Sequence, residues 1–373
     1  MRIKFNSLPV YRGVVNKYPI SVETAPFEIA ITKNGYPQQI NRKNINEIVD
    51  YSNSNYNFLT TPPGKSNWGN KRAEAQIEYV LGEIQNVKGK RVLDIGGGTT
   101  YIVEKLVNDH RAKSGIIIDP TLKEDSNNTK IDVVQDYFSV SHINDYKADI
   151  ILCFACFEHL PNPVSFLNDI KLLCGKNNAS VILSFPDTER QFSQGDLNTF
   201  LHEHISYFNA KSAENLFLDQ NFIIKSIVSQ NDSLFCHIKN NIYDDQNHSV
   251  DQIKKIISLD KFEKSISYMK KELHNLLTIK KESVVFHGAT NGLNNTLFLA
   301  GFSKHPKIFV YDIDEYKVGC FLPTCVNPIR HASDETYKDF DNVFISAMSF
   351  YNECHSFLKN KHRINNIKPI LPL

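Results

Sequence analysis

No stretch of this chain approaches the ~18–20 consecutive apolar residues of a membrane helix, so no helical membrane span is expected. Neither sign of charge is in excess: 42 Lys and Arg against 41 Asp and Glu leave a formal +1. Nucleic-acid binding calls for a basic domain or stripe, so it is not expected, and Lys270-Lys271 and Lys280-Lys281 read as solvated helix faces. No cysteine precedes Cys153, and the seven present are scattered. Cys153 and Cys156 make a C-x-x-C inside an apolar run, but no second pair follows at zinc-site spacing, so buried reduced thiols are expected. The opening Met1-Arg2-Ile3-Lys4-Phe5-Asn6 has no apolar core of a signal peptide, which makes the cytoplasm the expected compartment.

What is present begins with Arg91-Val92-Leu93-Asp94-Ile95-Gly96-Gly97-Gly98-Thr99-Thr100. An apolar strand runs into a glycine turn with a carboxylate just ahead of it. A second apolar run, Gly115-Ile116-Ile117-Ile118, ends on Asp119, about twenty residues after the turn. This is the layout of a nucleoside cofactor at the carboxyl ends of parallel strands. A dinucleotide fingerprint would require G-x-G-x-x-G around a pyrophosphate. Here Asp94-x-Gly96-x-Gly98 is followed by Thr100, and Asp94 would repel phosphate while suiting a cationic amino-acid ligand. The segment resembles motif I and the acidic loop of class I S-adenosylmethionine-dependent methyltransferases. The resemblance implies that Asp94, Gly96 and Gly98 hold the methionine end of S-adenosyl-L-methionine and that Asp119 takes the ribose. Asp136, in Gln135-Asp136-Tyr137-Phe138, would meet the adenine amine, with Tyr137 beside it.

At 373 residues the chain is long enough for two domains. Residues 1–70 read as an irregular, polar lid segment broken by Thr61-Pro62-Pro63-Gly64. Lys71 to Ile84 reads as an amphipathic helix. From Arg91, strands at 91–95, 115–119, 131–134, 149–154 and 179–185 alternate with helices near 100–108 and 164–173, predicting a parallel α/β sheet. Runs at 222–229 and 233–239 suit an antiparallel closing pair. A methyltransferase domain is therefore expected over 71–240. A helical connector follows over 241–282, with Ile253, Ile256, Ile257, Leu273, Leu276 and Leu277 at helical spacing. Residues 283–373 form a second, smaller Rossmann-like unit, with strands at Val284-Val285-Phe286, Ile308 to Asp312 and Asn342 to Ser346. The turn His287-Gly288-Ala289-Thr290-Asn291-Gly292 is a poor glycine pattern, so that unit reads either as a weak nucleotide site or as a packing domain.

A methyl donor needs its methyl in line with a nucleophile, and the protein's chemical task is to take the acceptor's proton. Histidine is the natural base near neutrality. Two clusters qualify: Phe157-Glu158-His159-Leu160 after the fourth strand, and His202-Glu203-His204 after the fifth. In an extended segment His202 and His204 share a face, and Glu203 points away. In a loop Glu203 would orient a ring. The H-E-x-x-H zinc pattern is absent, and no metal is expected. For His159, a loop-capping role and a catalytic one both remain open. Tyr56, with Tyr51 nearby, is a candidate to close over the pocket.

The resemblance extends further. Leu201-His202-Glu203-His204-Ile205-Ser206-Tyr207-Phe208, then Leu216-Phe217-Leu218-Asp219-Gln220-Asn221-Phe222, resembles the C-methyltransferases of deoxysugar pathways. His287-Gly288-Ala289 through Asn295-Thr296-Leu297 is similar to that family's second glycine turn and helix. Asp312 to Pro323 is similar to its D-x-x-x-x-K-x-G-x-x-L-P segment. Across residues 50–373 this implies a keto sugar nucleotide between two units, His204 as base beside the ketone, and His159 and Tyr56 assisting. Two departures stand out: the family's cysteine-rich zinc module has no counterpart before Cys153, and Leu201 occupies a position where the family has tyrosine. Methylation of a hydroxyl, on a sugar or another small metabolite, is therefore the rival within the class. A non-catalytic binding protein on the same scaffold and a nicotinamide enzyme using the last unit are rivals outside it.

Asp119→Ala should weaken S-adenosylmethionine binding at least several-fold, because a charged hydrogen bond contributes roughly 1.5–3 kcal/mol. Calorimetry on the folded variant measures this, and unchanged affinity would remove the ribose assignment.

Overall fold

The computed structural model describes residues 2–41, 51, 59, 61–122, 126–143, 147–174, 178–241, 258–333 and 335–372. Tyr56, Ile253, Ile256 and Ile257 lie outside these.

The first element corrects the sequence reading. Residues 2–39 are not irregular but form a three-stranded antiparallel sheet: β1 (Arg2–Pro9), β2 (Thr24–Ile31) and β3 (Pro37–Gln39). Ile3 and Phe5 face inward between exposed Arg2 and Lys4, the period-two pattern of a half-buried strand. No tight-turn signal joins β1 to β2, so the pairing is not evident locally.

The main sheet has seven strands: β4 (Arg91–Ile95), β5 (Ser114–Ile118), β6 (Ile131–Val134), β7 (Ile150–Phe154), β8 (Ser180–Pro186), β9 (Phe222–Gln230) and β10 (Ser233–Asn240). Their order is β6-β5-β4-β7-β8-β10-β9, with β10 antiparallel to both neighbours. Asn231 and Asp232, both at positive φ, make the tight turn between β9 and β10. The chain runs from β4 outward to β6, then crosses back to β7 on the other side of β4. The carboxyl ends of β4 and β7 thus flank the switch point where such sheets open a crevice. Both faces of the central strands are covered, and all five positions of β7 are apolar and buried. Leu93, Ile151, Cys153, Val181 and Leu183 point to one core, with helix Pro163–Cys174. Val92, Ile150, Leu152 and Ile182 point to the other, with helices Asn67–Glu83 and Tyr101–Asn108.

The second unit is a five-stranded parallel sheet of β11 (Val284–His287), β12 (Ile308–Asp312), β13 (Arg330–His331), β14 (Val343–Ile345) and β15 (Ile367–Pro369), ordered β13-β12-β11-β14-β15. The sequence reading lacked β13, β15 and helix Tyr351–Lys361. The two strands, of two and three residues, are too short to carry a periodic signal. Helix Leu259–Leu273, continued by a π-helical turn at His274–Ile279, leads into this unit. It buries Met269, Leu273, Leu276 and Leu277 there.

One aromatic cluster ties the N-terminal sheet to the rest. The Phe200 ring lies 5.1 Å from Phe5, 5.4 Å from Phe27 and 4.6 Å from Phe262. Phe200→Ala should therefore destabilise the protein by about 3–5 kcal/mol, the usual loss for an aromatic buried on all sides. A denaturant midpoint close to that of the parent would overturn this packing assignment.

Candidate active site

The glycine turn after β4 is shaped by its neighbours. Gly96 and Gly98 have φ of 72° and 64°, a region side chains rarely adopt. A Cβ on Gly96 would lie 2.5 Å from Cys156 Sγ, so the turn rests directly on the loop after β7. A Cβ on Gly97 would lie 2.6 Å from Asp94 Oδ2, which packs beneath it. Asp94 is 1% exposed, and neither carboxylate oxygen has a hydrogen-bond partner. Burial, and then the nearby charge of Asp119, push its carboxyl up to about 8. A buried acid without a donor is costly unless something arrives to pair with it. The ammonium of an amino-acid ligand is such a partner, so these residues fit the methionine end of S-adenosylmethionine.

Asp119, at the end of β5, holds the same turn from the other side. Its Oδ2 accepts from Gly98 N at 2.8 Å, and its Oδ1 accepts from Thr121 N at 2.6 Å. Asp136 is exposed just past β6, where its Oδ1 caps Tyr137 N at 2.7 Å, and Tyr137 is half exposed. The structure thus puts Asp94, Gly96, Gly98, Asp119, Asp136 and Tyr137 along the carboxyl ends of three adjacent strands.

The histidines lie on the same rim, beyond β7. Ala155 leaves that strand at φ 50°, a left-handed conformation held by Ala155 N donating to Ser184 O at 2.7 Å. The chain then turns through Cys156, against Gly96, to Phe157–His159. Leu201 to His204 is a turn closed by His204 N to Leu201 O at 3.1 Å, not an extended segment. Of the two conformations open to this segment, the turn is the one formed, the case in which Glu203 faces a ring. His202 packs on Phe27, ring centroids 5.3 Å apart, beside the β2 backbone at Ala25 and Pro26. It belongs to the N-terminal sheet. His204 meets the His159 ring edge-on at 4.9 Å. Glu203 comes back toward His159 as well: its carbonyl lies 3.1 Å and its carboxylate 3.7 Å from His159 Nδ1. Tyr51 Oη lies 3.0 Å from the same nitrogen.

Glu158, adjacent to His159 in sequence and missing from the expected site, completes the group. Its Oε1 is 3.6 Å from His159 Nε2, and its carbonyl accepts from Ile205 N at 2.8 Å and Ser206 N at 3.0 Å. Burial alone pulls His159 down, but the charges of Glu158 and Glu203 override it and raise the ring to about 9. His204 goes the other way: burial, reinforced by the charge on His159, takes it to about 3. One imidazolium and one neutral imidazole therefore stand edge to face over a wide pH range. Glu158, His159 and His204 offer ligand atoms within 4.8 Å of one another. The ion pair between Glu158 and His159 accounts for that proximity, and a divalent cation would first have to displace the His159 proton.

Residues 68–227 match the family model described as a methyltransferase domain, less than half of the chain. Similar solved structures include an S-adenosylmethionine-dependent methyltransferase from Mesorhizobium loti, 9% identical, with a TM-score of 0.36, covering 45% of this chain and 100% of that one. Another is the 1,6-didemethyltoxoflavin-N1-methyltransferase of Burkholderia thailandensis with bound S-adenosylhomocysteine, 14% identical, with a TM-score of 0.35, covering 46% and 80%. No curated protein matches the chain. The family match, with the strand order and the glycine cradle, defines a class I methyltransferase domain. The protein is an S-adenosylmethionine-dependent methyltransferase carrying a second parallel sheet.

Donor binding at pH 7 should release close to one proton, because an Asp94 acid near 8 must ionise to receive an ammonium. Affinity should rise with pH up to about 8 and then level off. Calorimetry in buffers of different ionisation enthalpy reads the proton directly, and a release near zero would separate Asp94 from the ligand.

Proposed function

We propose that this enzyme methylates a small molecule, most plainly a sugar nucleotide, at carbon or oxygen, with His204 as the general base. The observation that carries this is the His159–His204 pair, two perpendicular rings 4.9 Å apart, with His159 on the loop that touches the Gly96 turn and the two rings' pKa values pushed in opposite directions. Bound S-adenosylmethionine supplies an electrophilic methyl group. The chain's own residues prepare the acceptor. His159, kept cationic by Glu158 and Glu203, donates to an acceptor oxygen, either a ketone or a hydroxyl that is becoming an alkoxide. His204, neutral at physiological pH, takes the proton from the carbon beside the ketone or from the hydroxyl. A base held near 3 is weak beside a cation. Negative charge building on the acceptor oxygen offsets the His159 charge, so the basicity of His204 recovers as the reaction proceeds.

The sugar nucleotide reading rests on the resemblance of the H-E-H and second-unit segments to deoxysugar C-methyltransferases. Arg72 supports it: burial lowers its pKa, and the charges of Glu158 in the first unit and Asp314 in the second oppose that fall. A cation at this junction suits a pyrophosphate. Transfer to oxygen is favoured by one observation. Leu201, where the family has tyrosine, packs against the hydrophobic core of the second unit and brings no hydroxyl to the acceptor.

His204→Asn should retain donor affinity while turnover falls by roughly 10²–10⁴, the contribution of a positioned base. Turnover of the parent should also fall as pH rises through about 9, where His159 loses its proton. Mass spectrometry of a metabolite pool incubated with labelled donor identifies the acceptor and measures both effects. Full activity of His204→Asn would end the base assignment.

A further inference from the structure

We propose that the second unit has turned the nucleotide-binding pole of its fold into a socket for the His204 turn, with Asn291 and Asn295 as positioning residues. The inference takes the His159–His204 pair of the proposed function as the site being positioned.

In a doubly wound sheet of this order a ligand sits between β11 and β14, at their carboxyl ends, with its phosphate against the next helix N-terminus. All three parts of that pole are already filled. A Cβ on Gly288 would lie 3.0 Å from the Ala347 Cβ and 3.1 Å from Ser346 Oγ, so the two strand ends are in contact. Asp312, at the ribose position at the end of β12, accepts from Ala289 N at 2.7 Å and pairs with Lys317 Nζ at 3.0 Å. Burial opposes both charges. Their mutual attraction overrides it, raising Lys317 and lowering Asp312, so the carboxylate is neutralised from within.

The helix N-terminus is the third part, and a protein segment covers it. Helix Asn291–Leu299 is buried from Asn291 through Leu297. Gly292 N donates to Asn198 Oδ1 at 2.9 Å, and a Cβ on Gly292 would lie 2.9 Å from the Asn198 Cβ. Asn291 Nδ2 donates to Phe200 O at 2.9 Å. Asn295 Nδ2 donates to Leu197 O and to Phe200 O, both at 3.0 Å. Leu201 then inserts its side chain against the second core. Phe200 O is thus gripped by two buried amides immediately before the turn that carries Glu203 and His204. A buried carbonyl left without its donor is costly, so the turn has a strong preference for this one seat.

The reporter is the His159 ring, faced by Glu158, Glu203, His204, Tyr51 and Cys156. Its titration depends on where the Glu203 turn sits and needs no acceptor. Proton NMR of the full-length protein, with the signal assigned by its loss in His159→Asn, gives the midpoint, expected near 9 in the parent. In Asn291→Ala/Asn295→Ala the midpoint should fall by about one unit or more toward the ordinary histidine value. Leu358→Ala, buried elsewhere in the second unit, should leave it in place. If the double variant fails to fold, Asn291→Ser, which keeps both Asn295 bonds, should give a smaller fall by the same measurement. An unchanged midpoint in the folded variant, or an equal fall in Leu358→Ala, overturns the socket. Failure of the catalytic reading is a separate result, because it appears as undiminished turnover of His204→Asn.

Discussion

Everything at this site depends on how one short stretch, residues 197–206, is held. Its backbone groups bond to three different parts of the molecule. Gln39 Nε2, at the end of β3, reaches Leu201 O at 3.3 Å, His202 O at 3.0 Å and His204 O at 2.7 Å. Asn291 and Asn295 take Phe200 O from the opposite side. The backbone of Glu158 receives Ile205 N and Ser206 N from the main sheet. Buried backbone groups must find partners, and here donors from the N-terminal sheet and the second unit, with an acceptor from the loop after β7, hold the stretch at once. The turn is the place where the three parts of the chain meet, and that is why two histidines from distant segments stand face to edge.

The two larger sheets use one device and diverge in its consequence. In each, the carboxylate ending the second strand accepts an amide from the turn after the first: Asp119 from Gly98, Asp312 from Ala289. In the first sheet Asp94 beneath the turn is left without a donor. In the second, Lys317 fills the space, Ser346 and Ala347 close the crevice, and Asn198 covers the helix end. The same topology is ready for a ligand in one unit and closed by protein in the other. The difference lies in a handful of side chains rather than in strand order.

The electrostatics of the histidine pair follow from the same convergence. His159 is adjacent in sequence to one carboxylate, Glu158, and adjacent in space to a second, Glu203, delivered by the turn. Two carboxylates around one ring outweigh its desolvation. Burial lowers His204, and the single positive charge on His159 lowers it further. Without the turn in its seat, His159 would face one carboxylate and His204 would titrate closer to an ordinary histidine.

Patterns of short range were legible in the sequence. The strand at 91–95 with its glycine turn, the run of alternating strands and helices, Asp119 at its spacing and the late antiparallel pair all follow from periodicity and from glycine's access to positive φ, which a linear chain displays directly. The pairing of β1 with β2 across a long connection did not, nor did β13 and β15, because a strand of two or three residues exists only through its neighbour's hydrogen bonds. At the site, the identities of His159, Glu203 and His204 could be read, but not their relation. Alternation left an extended segment and a loop both open, and the closed turn that forms sends His202 to Phe27. Gln39, Asn198, Asn291 and Asn295 carry no motif, since an amide side chain that grips a carbonyl leaves no spacing to detect. Sequence alone determined which chemistry the chain can hold, because that depends on residue types and local geometry. Only the tertiary structure decided which of those residues meet, because that depends on where the buried backbone groups of one stretch find their partners in three units.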